Sequence, residues 1–354
     1  MKSTKKWNIA ILLASLIIPL LTVGANYFMD PLWCFSISNK YNQFQEPFNE
    51  RIQKTNYFTY RGGKYQGVLI GTSRSTCINQ YSFKGISVFN YSCNGLSLAE
   101  YKDYINYARK RMGKELRHVF IGLDFTQTMQ GGEQRLPLLA MENADSMDPG
   151  RIIREVSSPL HRVKSLLSID TLKYSRRFFN HYPRGCRFYY TRDNVKVYRK
   201  FTREELDGIL SLYLDYFEKS IYPSYKFDRS YLHELKKIKD ENPDVNIVVY
   251  ITPESAPLMK LFMKHGLSEY YFRWLSDIVS VFGGCYDFMY PHKVTRNYYD
   301  YFHDAVHSNP NVGDMIADAI YNKKVRSEQE FGIYIDKNNY ESRKRYLEEL
   351  FRRL

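Results

Sequence analysis

The sequence has no CxxC pair: its five cysteines, Cys34, Cys77, Cys93, Cys186 and Cys285, are scattered through 354 residues. That spacing argues against a structural zinc site and against a disulfide-dense scaffold. Buried free thiols are the plain reading, and a single bridge such as Cys77 to Cys93 is the alternative in an oxidising compartment. Blocks of five like charges, zinc-knuckle spacing and an RNA-binding aromatic signature are also missing, so no nucleic acid is expected as a partner. The net charge of +13 instead draws the surface towards anionic lipid or an acidic polymer. Internal repeats and low-complexity tracts are lacking as well. A hydrophobic fraction of 44% fits a folded chain with a substantial core.

Charge is absent from Trp7 to Phe28, a stretch rich in Ile and Leu that follows Lys2, Lys5 and Lys6. Roughly 20 such residues span a bilayer core as a helix. The positive-inside tendency then makes residues 1–6 a cytoplasmic N-terminus and 7–28 a transmembrane anchor, with everything after Asp30 outside. A cleaved signal peptide competes with this, because Val23-Gly24-Ala25 has the small-residue spacing of a cleavage site. Trp7, Tyr27 and Trp33, as interfacial residues, favour the retained anchor. Either way the remainder is extracytoplasmic, periplasmic or at the cell surface.

Residues 29–64 read as a linker and lead-in. From 65 to 322, short runs rich in Val, Ile and Phe alternate with longer helical patterns, as in an α/β sheet. Strands are expected at Gly67–Ile70, Ile86–Tyr91, His118–Asp124, Asn246–Thr252 and Cys285–Met289. Helices are expected at Leu98–Met112, Glu204–Phe217, Ser230–Asp240, Glu269–Val281 and Val312–Tyr321. Continuous apolar strands joined by helices predict a mostly parallel sheet covered on both faces, with sites beyond the carboxyl ends of the strands. A long insertion, about 126–245, separates the third strand from the fourth, and insertions of that size form lids or binding surfaces. Within it, Arg176, Arg177, Arg184, Arg187, Arg192 and Lys196 interleave with Phe178, Phe179, Tyr182, Tyr189 and Tyr190. Sugars stack on aromatic faces and anionic sugars pair with arginine, which makes Arg184, Arg187 and Tyr189 candidate substrate contacts. An ordinary basic surface with its aromatics facing the core is the other reading. Residues 323–354 read as a helical C-terminal appendage.

The run G-V-L-I-G-T-S-R-S, Gly67 to Ser75, is a buried strand entering a small-residue turn that presents Ser73 just past the strand end. A nucleophilic serine needs that placement, because its hydroxyl must be exposed while its backbone N–H faces the same substrate oxygen. The same run also suits an ordinary strand-to-helix junction with Ser73 or Ser75 as N-cap. Near the other end, Y-F-H-D-A-V-H-S-N-P-N-V-G-D, Tyr301 to Asp314, sets Asp304 and His307 three apart. A carboxylate so placed can bind one ring nitrogen and leave the other facing the serine.

Taken together these blocks resemble the SGNH/GDSL hydrolase family, whose motifs run nucleophilic Ser, oxyanion Gly, oxyanion Asn, then Asp-x-x-His. Ser73 matches the first, Gly95 in F-N-Y-S-C-N-G the second, and Asp304 with His307 the last. The resemblance covers roughly Gly67 to Ile320, leaves the insertion out, and implies a three-layer sandwich with Ser73, Gly95 and the third block forming an oxyanion hole. That third block, F-I-G-L-D-F, has Asp124 where the wider family has Asn. Either Asp124 stays protonated as a donor, or it points elsewhere and the hole relies on the N–H groups of Ser73 and Gly95. The G-L-D-F and G-T-S-R-S wording, Asp30-Pro31 after the anchor, and H-x-x-P-x-V-G are similar to a narrower branch. That branch holds the exported SGNH-like proteins accompanying membrane-bound O-acyltransferases, such as alginate O-acetylation proteins and the D-alanyl transfer protein of teichoic acid synthesis.

The resemblance therefore implies an exported, membrane-anchored O-acyltransferase that moves acetyl groups onto a polysaccharide, with a membrane-bound O-acyltransferase as donor partner and no cofactor or metal. A carbohydrate esterase with the same triad and a non-catalytic glycan-binding scaffold are the alternatives. Asp300 with His303 forms a second D-x-x-H string, but Pro310 and Gly313 fit the branch only when Asp304 and His307 are chosen. Arg74, next to the nucleophile, suits either an anionic substrate or a structural ion pair.

Overall fold

The computed structural model describes residues 2–45, 49–130, 148–181, 188–322 and 331–354. The chain divides into two compact units, one from residues 1–63 and 147–194, the other from 64–146 and 195–354. The strands are β1 (Phe44–Gln45), β2 (Gly67–Ile70), β3 (Val88–Asn90), β4 (His118–Leu123), β5 (Phe188–Thr191), β6 (Lys196–Tyr198), β7 (Asn246–Ile251), β8 (Gly284–Asp287) and β9 (Ile333–Asp336). Helices of the N-terminal half are α1 (Lys2–Met29), α2 (Glu50–Tyr60), α3 (Leu98–Met112), α4 (Pro149–Val156), α5 (His161–Leu167) and α6 (Ile169–His181).

The second unit is built on a six-stranded sheet of order β3-β2-β4-β7-β8-β9. The four pairings from β3 to β8 are parallel, and β9 runs antiparallel to β8, with Cys285 opposite Ile335. Every residue of β2 is buried, as are five of six in β4, which is why both read as unbroken apolar runs. The expected SGNH-like sandwich with a mostly parallel sheet is corrected here: the sheet is mixed. Its antiparallel edge comes from the C-terminal segment, where Ile333 and Ile335 are buried and Tyr334 faces out. Alternation of that kind marks a strand with one wet face, and β9 joins the sheet before the helix Tyr340–Arg352 ends the chain.

Helix α3 starts at a capping box, the Glu100 carboxylate accepting from the Ser97 N–H at 2.8 Å. The core beneath the sheet's β2 and β4 includes Leu69, Phe120, Tyr250, Phe288, Val312 and Ile316. Cys77 and Cys93 are free and buried, so the bridge considered between them is absent. Burial pushes the Cys77 thiol up to about 11, so it stays protonated, donating to the Arg74 carbonyl at 3.1 Å.

The first unit packs α1 against α5 and α6, and α2 against α4. β1 pairs antiparallel with β5. Asp30 turns the chain after α1 at a φ of 40°, its carboxylate accepting from the Cys34 N–H at 2.7 Å and pairing with buried Arg192. Polar side chains on α2 satisfy the backbone of that turn: Gln53 donates to the Pro31 carbonyl and Asn56 to that of Leu32, at 3.0 and 2.9 Å.

The transmembrane anchor predicted at 7–28 is also corrected. Among the described residues no helix is long and apolar enough to cross a membrane. From Thr22 onward one side of α1 packs against protein: Thr22, Asn26 and Met29 are buried, and Asn26 donates to the carbonyls of Leu166 and Ser168.

Candidate functional site

The candidate residues of the second unit sit at the carboxyl ends of parallel strands, where open α/β sheets place their sites. Ser73 follows β2, Gly95 follows β3, and Asp124 follows β4. The turn after β2 is a single 3₁₀ turn, Ser73–Ser75, with Thr72 as N-cap. Gly71 is required there, since a Cβ would overlap the Ser75 hydroxyl, and one at Gly122 of β4 would do the same. Ser75 is thus tucked between two glycines, with the Tyr250 hydroxyl donating to it at 2.8 Å. Ser75 is packed inward, while Ser73 is half-buried.

The Ser73 hydroxyl lies 2.7 Å from His307 Nε2. On the other side of the ring, His307 Nδ1 is 2.8 Å from Asp304 Oδ2. With Nδ1–H donated to the carboxylate, Nε2 is left as the acceptor for the serine. Asp304 also caps its own loop, Oδ1 accepting from the N–H groups of Val306 and His307 at 2.9 and 2.7 Å. Burial alone would raise the Asp304 carboxyl, but the facing His307 imidazole and these N–H groups hold it well below the usual carboxylate range. Asp304 is buried, while Ser73 and His307 reach the surface.

His303 stands behind this pair. Its ring stacks on His307 at 5.6 Å and meets Tyr198 at a tilt of 40° and 4.1 Å, with Nε2 at 3.8 Å from Asp304 Oδ2. Burial pushes its imidazole down to about 3, so it is neutral at physiological pH. Asp300 accepts instead from Asn297, so the Asp304 and His307 register is the one the geometry assembles. His303, Asp304 and His307 are the group, among the described residues, whose ligand atoms approach one another closely enough to hold a metal ion, within 4.8 Å. Asp304 and His307 already spend those atoms on each other.

Asp124 is buried and acts as an acceptor. The hydroxyls of Thr72 and Thr252 donate to its two oxygens, and it caps the 3₁₀ turn Phe125–Thr128. The expected oxyanion donor role is therefore not what its contacts provide, and of the two alternatives the carboxylate points elsewhere. Gly95 lies in the turn after β3 at a φ of 59°, held beside the nucleophile turn by the Cys93 N–H donating to the Gly71 carbonyl at 3.2 Å. Arg74 is buried, its guanidinium 2.5 Å from Glu254 Oε1 and 4.0 Å from Asp124 Oδ1, which makes it an internal ion pair. Arg184 and Arg187 lie outside the described residues. Tyr189 belongs to the other unit, its ring edge-on to Phe44 at 4.9 Å. Of the same basic-aromatic segment, Tyr190 and Arg192 are buried, so part of it is core.

Sequence reasoning passed over several residues that hold the site. Glu254 grips the nucleophile turn through Arg74, and Ser255 next to it donates to the Ala305 carbonyl through its N–H at 3.1 Å and its hydroxyl at 2.8 Å. The loop after β7 therefore fastens both halves of the serine–histidine pair. Its signal was the polar Thr252-Pro253-Glu254-Ser255 at a predicted strand end. Lys196 of β6 is buried and donates to Thr76 Oγ1 at 2.8 Å, which donates to the Ser73 carbonyl at 2.5 Å. Gly313 lets the helix Pro310–Ala317 approach, since a Cβ would lie 2.7 Å from the Cys77 carbonyl. No protein-family model matches this chain, and no curated protein matches it.

Proposed function

We propose that this chain is a serine-dependent O-acyltransferase, acting on an exported polysaccharide through an acyl-serine intermediate, with acetyl as the group moved. The observation that carries it is the relay of Ser73 to His307 at 2.7 Å and His307 to Asp304 at 2.8 Å. In this reaction Ser73 Oγ attacks the acyl carbonyl as its proton passes to His307 Nε2. The leaving group departs with that proton, and the acyl ester on Ser73 remains. A sugar hydroxyl then attacks the ester, giving its proton to His307, and Ser73 is regenerated. Asp304 keeps the ring oriented and stabilises the imidazolium. The backbone N–H groups of Ser73 and Gly95 are the oxyanion donors in this reading, since Asp124 is an acceptor.

Transfer to a sugar rather than to water rests on the motif order and on the G-T-S-R-S, G-L-D-F and H-x-x-P-x-V-G blocks, which resemble the polysaccharide O-acetylation branch of the SGNH-like proteins. The same resemblance makes a membrane-bound O-acyltransferase the donor partner and places the second unit outside the cytoplasm. Incubating the full chain with an activated acetyl ester, with and without oligosaccharides, tests the reading by mass spectrometry of Ser73 and of the sugars. Acetylated sugar supports transfer, acetate released at the same rate in both makes the chain an esterase, and an unmodified Ser73 removes the enzyme reading. A reporter fused after Leu354 tests location, and its activity in the cytoplasm would refute export.

A further inference from the structure

The first unit carries an apolar surface that its own fold leaves uncovered. Every residue of α1 from Ser15 to Leu21 is exposed, including Ile18, Leu20 and Leu21. Seven consecutive residues cover nearly two helical turns, so the helix is apolar around its circumference there. Packing begins one residue later. Asn26 Nδ2 donates to the carbonyls of Leu166 and Ser168 at 2.9 and 3.0 Å, and the Ser175 hydroxyl donates to Asn26 Oδ1 at 2.9 Å. The uncovered part of α1 thus emerges beside the corner between α5 and α6.

That corner is itself apolar on the outside. Leu160, Val163, Leu167 and Ile169 are all more than half exposed, Ile169 at 69%. An aromatic cluster stands next to the emerging helix: Tyr27 packs on Phe35, Phe28 on Tyr41, and Tyr41 on Phe179, with Tyr27, Phe28 and Phe179 exposed. Positive charge surrounds it. Residues 160–177 hold Arg162, Lys164, Lys173, Arg176 and Arg177 against the single acid Asp170, a net charge of +4. Apolar side chains, rings at the boundary and flanking cations are the combination that seats a protein in the headgroup region of an anionic bilayer.

We propose that the exposed stretch Ser15–Leu21 of α1 and the α5–α6 corner form one contact surface for an anionic phospholipid bilayer, with Leu167 and Ile169 among the side chains entering one leaflet. This is contact with a leaflet rather than a span, and it is independent of the chemistry read at Ser73. The cations choose the occupant: an apolar groove of a partner protein would complement the leucines and isoleucines but would leave Lys164 and Arg176 without a counter-charge.

The test uses the full chain with its exposed Trp7 replaced by Phe and carrying Leu167→Trp, mixed with vesicles of brominated phosphatidylcholine with or without phosphatidylglycerol, and quenching is read against the Trp7→Phe parent, in which buried Trp33 and Trp274 remain. Leu212→Trp is the control, an exposed leucine in the other unit. Tryptophan at 167 is expected to be quenched strongly, more so with phosphatidylglycerol, and tryptophan at 212 hardly at all. Lys164→Ala with Arg176→Ala should weaken partition onto the anionic vesicles by roughly 25-fold, about fivefold for each cation, and leave neutral vesicles unaffected. Quenching at 167 no greater than at 212, or partition indifferent to phosphatidylglycerol and to the two substitutions, overturns the proposal.

Discussion

Glu254→Gln is the substitution that most directly asks whether the loop after β7 holds the serine and histidine together. Glu254 Oε1 is 2.5 Å from the Arg74 guanidinium, both side chains are buried, and Arg74 adjoins Ser73. Glutamine keeps an acceptor of the same shape and removes the charge, so the guanidinium keeps Asp124 at 4.0 Å but loses the ion pair at 2.5 Å. Removing one partner of a buried pair typically costs about 3–5 kcal/mol, and the retained acceptor puts the expected cost near the lower figure, about 3 kcal/mol. For a unit of this size that lowers Tm by roughly 6–12 °C. Well below that Tm, the rate at which an activated ester acylates Ser73 should also fall, because Arg74 no longer fixes the turn. Replacing both partners, Arg74→Met with Glu254→Leu, should recover part of the stability, since neither half of the 2.5 Å pair is stranded and Asp124 loses only a cation at 4.0 Å. It should not recover the rate. The reasoning is refuted if Glu254→Gln melts like the parent, or if it melts lower yet acylates Ser73 at the parental rate at a temperature where both are folded.

Three further outcomes are expected. His307→Ala should lose acylation by on the order of 10⁴- to 10⁶-fold, whereas His303→Ala, which removes a stacked ring and no bond to Ser73, should keep most of it; the reverse ranking moves the base to His303. Asp124→Asn and Asp124→Ala should both act mainly through thermal stability, because Thr72, Thr252 and the turn at Phe125 donate to this carboxylate, and a rate loss of about 10²- to 10³-fold at parental stability would restore it as an oxyanion donor. Acidification should destabilise the fold partly through His303: the unfolded imidazole takes up a proton below about 6.5 while the buried one stays neutral to about 3, so stability is full above that window and falls within it by up to about 1.4 kcal/mol per pH unit. His292, pushed down to about 4, adds to this, and Asp287, pushed up to about 6, works against it below that pH. Comparing urea unfolding of the parent and His303→Asn at each pH isolates the His303 contribution, and parallel pH profiles would refute it.

What could be read from the sequence was what local pattern decides. The strand at Gly67–Ile70 and the helix at Leu98–Met112 appear as predicted, and Ser73, Asp304 and His307 meet because each lies in a short motif at a strand or helix end. The residues that fasten them were not legible, since Glu254 reaches Arg74, and Ser255 reaches Ala305, only after β7 is laid beside β4. The same holds for Lys196, whose burial beneath Thr76 is a tertiary event in a segment that reads as basic surface. Hydropathy misjudged α1 for a related reason: Thr22 and Asn26 look tolerable in an apolar run, yet they are the positions buried on α5 and α6. The antiparallel edge was missed because Ile333-Tyr334-Ile335-Asp336 is short and lies in charge-rich sequence.

The central claim is that Ser73 is a nucleophile driven by His307, and its most direct measurement is peptide mass spectrometry of the chain after brief exposure to an activated acetyl ester. An acetyl group on the peptide containing Ser73, formed in the parent and lost in His307→Ala with the fold intact, is the predicted result. An unmodified Ser73 in the parent, or equal acetylation in the two chains, would contradict it.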